Sequence, residues 1–188
     1  MEYIDQHREL VERCRKGERK AYLELYNLYS AAMYNVALRM TGLKHIAEDI
    51  LQESFSDAFT SLHKFRNEST FGAWIKRIVV FKSYDYLNSK SSQFDFVEDN
   101  DFFEAKEQEP EFNEEEIALE VQKVKEAVKQ LPDGSRTILN LYLFEGYDHG
   151  EIAKIMNISE STSKTQYMRA KRKVKELIEN AGNYERQS

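Results

Sequence analysis

The sequence predicts an all-α protein: two small helical domains joined by a flexible acidic linker. Three observations carry this. Apolar residues recur at helical spacing over most of the chain. Helix breakers are scarce, with seven glycines and two prolines in 188 residues, a composition that suits a helical protein. One internal stretch, 91–113, loses the period and concentrates acidic residues. A chain of this length holds one or two small domains. The expected division is a first domain over 1–90, a linker over 91–113 and a second domain over 114–188.

The first domain opens with a short helix from Asp5 to Lys16, with Leu10, Val11 and Cys14 inward and Gly17 as its stop. A long helix runs from Arg19 to Met40 on the stripe Tyr22, Leu25, Tyr26, Tyr29, Met33, Val36, Ala37 and Met40, and Thr41-Gly42 ends it. Lys44 to Lys64 is the next, apolar at Ile46, Ala47, Ile50, Leu51, Phe55, Ala58, Phe59 and Leu62. Its other face is acidic and polar: Glu48, Asp49, Gln52, Glu53, Ser56 and Asp57. Phe65 to Leu87 follows and holds the only tryptophan, Trp74. A helix starting near Ser69, with Ser69 as N-cap, puts Phe71, Trp74, Ile75, Ile78 and Phe81 on one stripe, with Lys82 and Asp85 intruding in its second half. An aromatic and basic helix behind a polar loop suits unstacked bases, because rings stack and cations follow the backbone. A core helix with snorkelling cations has the same pattern.

The linker begins near Ser89 and runs to about Asn113, with Pro110 and scattered Phe94, Phe96, Phe102, Phe103 and Phe112. In the second domain, Glu114 to Leu131 is a helix with Ile117, Val121, Val124, Val128 and Leu131 inward. Leu131-Pro132-Asp133-Gly134 makes a turn, and Arg136 to Phe144 is a helix closed by Gly146. Asp148-His149-Gly150-Glu151 is a capping-box start. A short helix with Ile152, Ala153 and Met156 leads into Asn157-Ile158-Ser159, and a long helix runs from Glu160 to about Asn180. A small Ala153 at the close approach, Asn157 for a left-handed residue and Ser159 as cap meet the demands of a helix-turn-helix. The last helix turns Tyr167, Ala170, Val174 and Leu177 inward. The face opposite carries Lys164, Thr165, Met168, Arg169, Lys171, Arg172 and Lys175, a set suited to the major groove and its phosphates.

Charge distribution sharpens this. The net charge is −6, but Asp95 to Glu120 is crowded with Asp and Glu around a single cation, Lys106. The remainder is net positive, and Lys164 to Lys175 has no acid. One cysteine excludes an internal disulfide and a cysteine metal cluster. The four histidines show no ligand spacing, so neither metal nor cofactor is expected. No apolar run can span a bilayer. The N-terminus M-E-Y-I-D-Q-H-R is not a signal peptide, so a cytoplasmic location without stable membrane insertion is expected.

Two stretches resemble a known family. A-E-D-I-L-Q-E-S-F (Ala47 to Phe55) followed by F-R-N-E-S-T-F-G-A-W-I-K-R-I is similar to region 2 of bacterial RNA polymerase sigma factors. L-P-D-G-S-R…L-F-E-G-Y…E-I-A-K-I-M-N-I-S…R-A-K (Leu131 to Lys171) is similar to sigma region 4. With no room for further domains between the two regions, the chain resembles the small extracytoplasmic-function (ECF) type of the sigma-70 family. The resemblance implies a transcription initiation factor that binds core RNA polymerase, through the β′ clamp helices and the β subunit, and directs it to promoter DNA. It implies polymerase contacts at Glu48, Asp49, Gln52 and Glu53. Minus-ten opening and capture would fall to Arg66, Asn67, Ser69, Thr70, Trp74, Lys76 and Arg77. Minus-thirty-five recognition would fall to Ser161, Lys164, Thr165, Met168, Arg169, Lys171 and Arg172. The linker would thread the polymerase toward the path of the new RNA. An anti-sigma factor is a typical partner in the family. The chain departs from the family pattern at Phe81 (usually Asn), Asn88 (usually Arg), Ser163 (usually branched apolar) and Gln166 (often basic).

A free-standing helix-turn-helix regulator is the alternative; it uses Asp148–Lys175 and leaves Ala47–Trp74 without work. An enzyme is not expected: paired carboxylates, a nucleophile with its base, a phosphate loop and a metal cluster are all missing from the sequence.

Overall fold

The computed structural model describes residues 7–90 and 114–185, the side chains of 114–120 and 182–185 excepted. The chain divides into two units, 1–92 and 93–188.

The first unit contains α1 (Arg8–Arg15), α2 (Arg19–Thr41), α3 (Lys44–Thr60), a single 3-10 turn (Leu62–Lys64) and α4 (Phe71–Lys90). The sequence stretch Asp5-Gln6 of the expected first helix lies outside the described residues. Gly17 and Gly42 take left-handed backbone at φ 80° and 71°, the conformation that stops α1 and α2. Arg13 fixes the elbow between these helices, its Nε donating to Glu18 at 2.8 Å and its Nη1 to Glu24 at 3.1 Å. α2 packs on both α3 and α4. Leu25, Met33, Val36, Ala37 and Met40 are buried, whereas Tyr22, Tyr26 and Tyr29 are half-buried. The tyrosines present their rings edge-on or tilted to Phe59, Phe55 and Phe71 at 4.9, 4.8 and 5.4 Å, distances typical of favourable aromatic pairs. Gly72 makes this approach possible: a Cβ there would stand 2.7 Å from Tyr29 Cε1. Cys14 is fully buried, and burial pushes its thiol up to about 11, which keeps it protonated and unreactive.

Two expectations for α4 need correction. Its N-cap is Thr70, whose Oγ1 accepts from Ala73 N at 3.2 Å, and not Ser69. Its buried stripe is Phe71, Ile75, Val79, Val80, Ser83 and Leu87. Trp74, Ile78 and Phe81 are only half-buried. Ile78-Val79-Val80-Phe81 is apolar all round the helix, so periodicity alone could not select the inner side. Ser83 and Ser54 are fully buried small residues on α4 and α3, which pack together. α4 also reaches Lys90, into the stretch expected to begin the linker.

The second unit contains α5 (Glu114–Lys129), α6 (Asp133–Leu143), α7 (His149–Met156) and α8 (Glu160–Glu185). α8 packs on the other three. Its core joins Ala127, Val128 and Leu131 to Leu139, Ala170 and Val174, with Leu177 and Ile178 against them. Val121 and Val124, expected inward, are exposed at 44% and 37%; among the described side chains of α5, Ala127 and Val128 at its C-terminal end meet the core, and Ile117 lies outside the described side chains. α6 starts at Asp133, earlier than expected, and Arg136 braces that start by donating from Nη1 to the carbonyls of Lys129 and Leu131, each at 3.2 Å.

Candidate nucleic-acid interface

Buried Ala47, Ile50, Leu51, Phe55 and Ala58 hold one side of α3 inward, which turns Glu48, Asp49, Gln52 and Glu53 outward, all exposed. The acidic face is not uniform. Lys82 of α4 reaches across with Nζ 3.2 Å from Glu53 and 2.8 Å from Asp57, and both carboxylates raise its pKa, Asp57 foremost. The lysine that interrupts the apolar stripe of α4 is therefore an interhelical ion pair. Lys82 is half-buried, but both carboxylates stand in solvent, where such pairs contribute about 0–1 kcal/mol, so Glu53 remains available to a stronger partner. Glu48 and Asp49 lie one turn away from this pair.

Between α3 and α4 the chain turns through Phe65–Thr70. Phe65 is buried and packs on Trp74 at 5.1 Å and on Phe71 at 6.1 Å. Arg66 and Ser69 are exposed, and Asn67 adopts φ 57°. That left-handed residue, a conformation asparagine tolerates, stands at the edge of an open cavity of about 660 Å3. Arg66 and Asn67 line it with Tyr22, Phe59, Leu62 and Arg15. Arg15 of α1 donates from Nη2 to the Phe65 carbonyl, and its guanidinium stands 5.9 Å over the Phe65 ring. Aromatic walls with guanidinium groups at the rim form a slot for a planar, electron-rich group such as a base.

The seven residues expected to serve the minus-ten element do not converge on this slot. Trp74 and Arg77 line a second, smaller cavity of about 400 Å3 with Ile78, Phe81 and Lys82. There the Arg77 guanidinium lies 5.7 Å over Phe81. Thr70 is spent as the cap of α4, and Lys76 is half-buried. Sequence reasoning missed Arg15, Tyr22 and Phe59 as wall residues. Arg15 meets Phe65 across fifty positions of sequence, and no local pattern announces such a contact.

The second unit builds its helix-turn-helix from local chemistry. Asp148 accepts from Glu151 N at 2.8 Å while the Glu151 side chain accepts from Asp148 N at 3.0 Å, completing the capping box. Asn157 is left-handed at φ 54°, ψ 46°, and Ser159 Oγ accepts from Thr162 N at 3.0 Å. These place α8 across α7 as a helix-turn-helix requires. On its outer side Ser161, Lys164, Met168 and Lys171 are exposed, and Thr165, Arg169 and Arg172 are half-buried. The basic face carries its own counter-charges. Lys164 pairs with Glu160 at 2.7 Å, Arg172 with Glu176 at 3.8 Å and Lys175 with Glu179 at 3.9 Å. Each is an exposed pair one helical turn apart, weak enough for a phosphate to replace. Ser163 and Gln166, two departures from the family pattern, are buried on the inner side.

Among the described residues no helix is long and apolar enough to cross a membrane, and no group of His, Cys, Asp or Glu could hold a metal ion.

Comparison with known proteins follows the same division. The Sigma-70 region 2 family model matches residues 25–93, and the Sigma-70, region 4 model matches residues 121–174. The ECF RNA polymerase sigma factor SigM of Bacillus subtilis is 30% identical over 86% of this chain and 98% of its own. The RNA polymerase sigma-H factor of Pseudomonas aeruginosa is 27% identical over 93% of this chain and 95% of its own. Among solved structures, CnrH in complex with the cytosolic domain of CnrY has a TM-score of 0.56 at 22% identity, covering 92% of this chain and 97% of that one. RpoE in complex with the anti-sigma factor NepR, from Bartonella quintana, also has a TM-score of 0.56, at 21% identity, covering 85% of this chain and 98% of that one. Both structural likenesses concern the fold.

Proposed function

The chain belongs to the sigma-70 family of RNA polymerase sigma factors, in its ECF group, and from that membership we propose how its residues divide the work. It is a transcription initiation factor, which binds core RNA polymerase and directs it to promoters. The free-standing regulator is set aside, since it leaves the region 2 match unused. The observation that carries the division is the joining in one chain of a first unit that has an acidic helix face and an aromatic slot with a second that has a capped helix-turn-helix whose outer face is basic.

Docking is the work of α3. Glu48 and Asp49, with Gln52 and Glu53, meet the β′ clamp helices, and Glu53 exchanges Lys82 for a cation of the polymerase. The slot under Arg66 and Asn67 receives a non-template base of the minus-ten element after it leaves the duplex. Unstacking costs a few kcal/mol, and ring contacts at Phe65, Phe59 and Tyr22 offset it. Trp74 supports the slot from behind through Phe65. Lys76 and Arg77 hold phosphates beside it. α8 reads the minus-thirty-five element with Ser161, Lys164, Thr165, Met168, Arg169, Lys171 and Arg172. Residues 91–113 join these activities and follow the path of the new RNA, where their negative charge imitates a nucleic-acid strand. An anti-sigma factor is the natural inhibitor, of the kind seen with RpoE.

Two experiments test this. Glu48→Lys with Asp49→Lys should leave stability within about 0.5 kcal/mol of wild type, as exposed substitutions do, yet abolish capture of core polymerase. Equal capture by the folded double variant removes α3 from docking. Lys76→Ala with Arg77→Ala should bind core polymerase normally, fail to open duplex promoters, and recover on templates with a pre-opened bubble. Permanganate reactivity of unpaired thymines reads this directly, and normal opening of duplex DNA would leave both cations without a melting role.

A further inference from the structure

The inner face of α8 has two halves of different chemistry. Its C-terminal half, Ala170, Val174, Leu177 and Ile178, rests on α5 and α6 through apolar contact, which is non-directional. Toward the N-terminus the same stripe continues with Ser163 and Gln166, 0% and 5% exposed. Buried polar groups are costly unless hydrogen-bonded. Both find partners, and the partners lie on different helices. Ser163 Oγ stands 2.9 Å from His149 Nδ1 of α7. Gln166 Oε1 accepts from Ser135 Oγ of α6 in a long contact of 3.4 Å.

His149 is the more telling of these partners. Its ring stacks on Tyr142 of α6 at 4.5 Å and 17°, and meets Tyr167 of α8 at 5.6 Å and 63°. Tyr142 and Tyr167 also touch each other at 4.5 Å. One imidazole therefore joins all three helices at the corner where α8 begins, and its single short hydrogen bond goes to the buried hydroxyl of α8. A hydrogen bond has a preferred direction that apolar packing lacks.

We infer that His149 is a positioning residue: through Ser163 it fixes the roll of α8 and so the ability of the outer face to discriminate among DNA sequences. Base readout depends on delivering side chains to base edges at fixed geometry, whereas phosphate attraction depends mainly on charge. Loss of the contact should therefore lower discrimination and spare non-specific binding. The inference rests on α8 as the DNA reader.

The test uses the full chain in holoenzyme with core polymerase, and a DNA duplex pool of random sequence as the probe. Sequences enriched by wild type are compared with unselected duplex for wild type, Ser163→Ala, His149→Phe and the double variant. His149→Phe keeps a ring to stack on Tyr142 and removes the hydrogen bond. Each single variant should lower the ratio of selected to unselected affinity roughly five- to tenfold, with an unchanged salt slope. The double variant should lose no more than either single, because the two share one interaction. Additive losses, wild-type discrimination in folded single variants, or unfolding of either single variant at room temperature would overturn the positioning role. Failure of wild type to enrich any common sequence would instead overturn α8 as the reader, and the positioning role with it.

Discussion

The two units hold their working elements by different means. In the first, rings lock helices together: Tyr22 on Phe59, Tyr26 on Phe55, Tyr29 on Phe71, and Phe65 on Trp74. In the second, one ring cluster, Tyr142, His149 and Tyr167, stands at the corner, and caps and short polar contacts set its direction: the Asp148–Glu151 box, left-handed Asn157, the Ser159 cap and the Ser163–His149 contact. Ring packing buries much area and leaves space between ring faces, which suits the proposed capture of a planar base. Polar fixing buries little and sets direction, which suits the proposed aiming of α8 at base edges. The first device is strong and local to a core. The second is weak, and each part of it can be removed alone.

The comparison breaks first at Phe71. This ring is fully buried among Tyr29, Phe65 and Trp74. Phe71→Ala should cost about 3–5 kcal/mol in the first unit and leave the unfolding of the second unchanged. Urea titration followed by Trp74 fluorescence, which belongs to the first unit, and by amide resonances of α7 and α8 separates the two. An equal shift in both transitions would show that the units do not unfold independently.

A smaller effect is expected at the corner of the second unit. Asn157→Ala should destabilise that unit by about 1 kcal/mol, because alanine keeps the Cβ that left-handed backbone penalises but lacks the short polar side chain that lets asparagine tolerate it, whereas Asn157→Gly, with no Cβ, should be close to neutral. The difference between the two variants is the diagnostic quantity. Equal costs would mean that the side chain of Asn157, and not its backbone, matters.

The smallest effect concerns pH. Burial, and then the neighbouring Lys164 cation, hold the His149 imidazole below its ordinary value, while Glu160 and Asp148 oppose the shift. A histidine with a lowered folded pKa takes up its proton first in the unfolded chain. Stability is therefore fully present above the ordinary imidazole value and is lost as pH falls through the folded one. Acidification should lower the melting midpoint of the second unit, and His149→Phe should flatten that slope. An imidazole NMR titration at or above the free histidine value would contradict this.

Much of the second unit was legible in the sequence because its signals are local. A capping box spans four residues, and a left-handed asparagine and a serine cap need only their neighbours, so Asp148–Ser159 could be read by itself. Helix existence was legible throughout, since periodicity survives any arrangement of partners. The inner face of α4 was not. Ile78, Val79, Val80 and Phe81 offer apolar surface in every direction, and the packing of α4 on α2 and α3 decides that Val79 and Val80 are buried while Trp74, Ile78 and Phe81 remain at the rim. The same holds for Val121 and Val124, periodic in sequence but beyond the reach of the core that α6 and α8 build. Arg15 shows the limit most plainly: its place in the slot depends on a carbonyl fifty positions away. By itself, then, the sequence determined the helices and the caps and turn of the helix-turn-helix, because backbone hydrogen bonding and capping are short-range. Only the tertiary structure decided which apolar face turns inward and which distant side chains share a cavity, because burial is settled by what packs opposite.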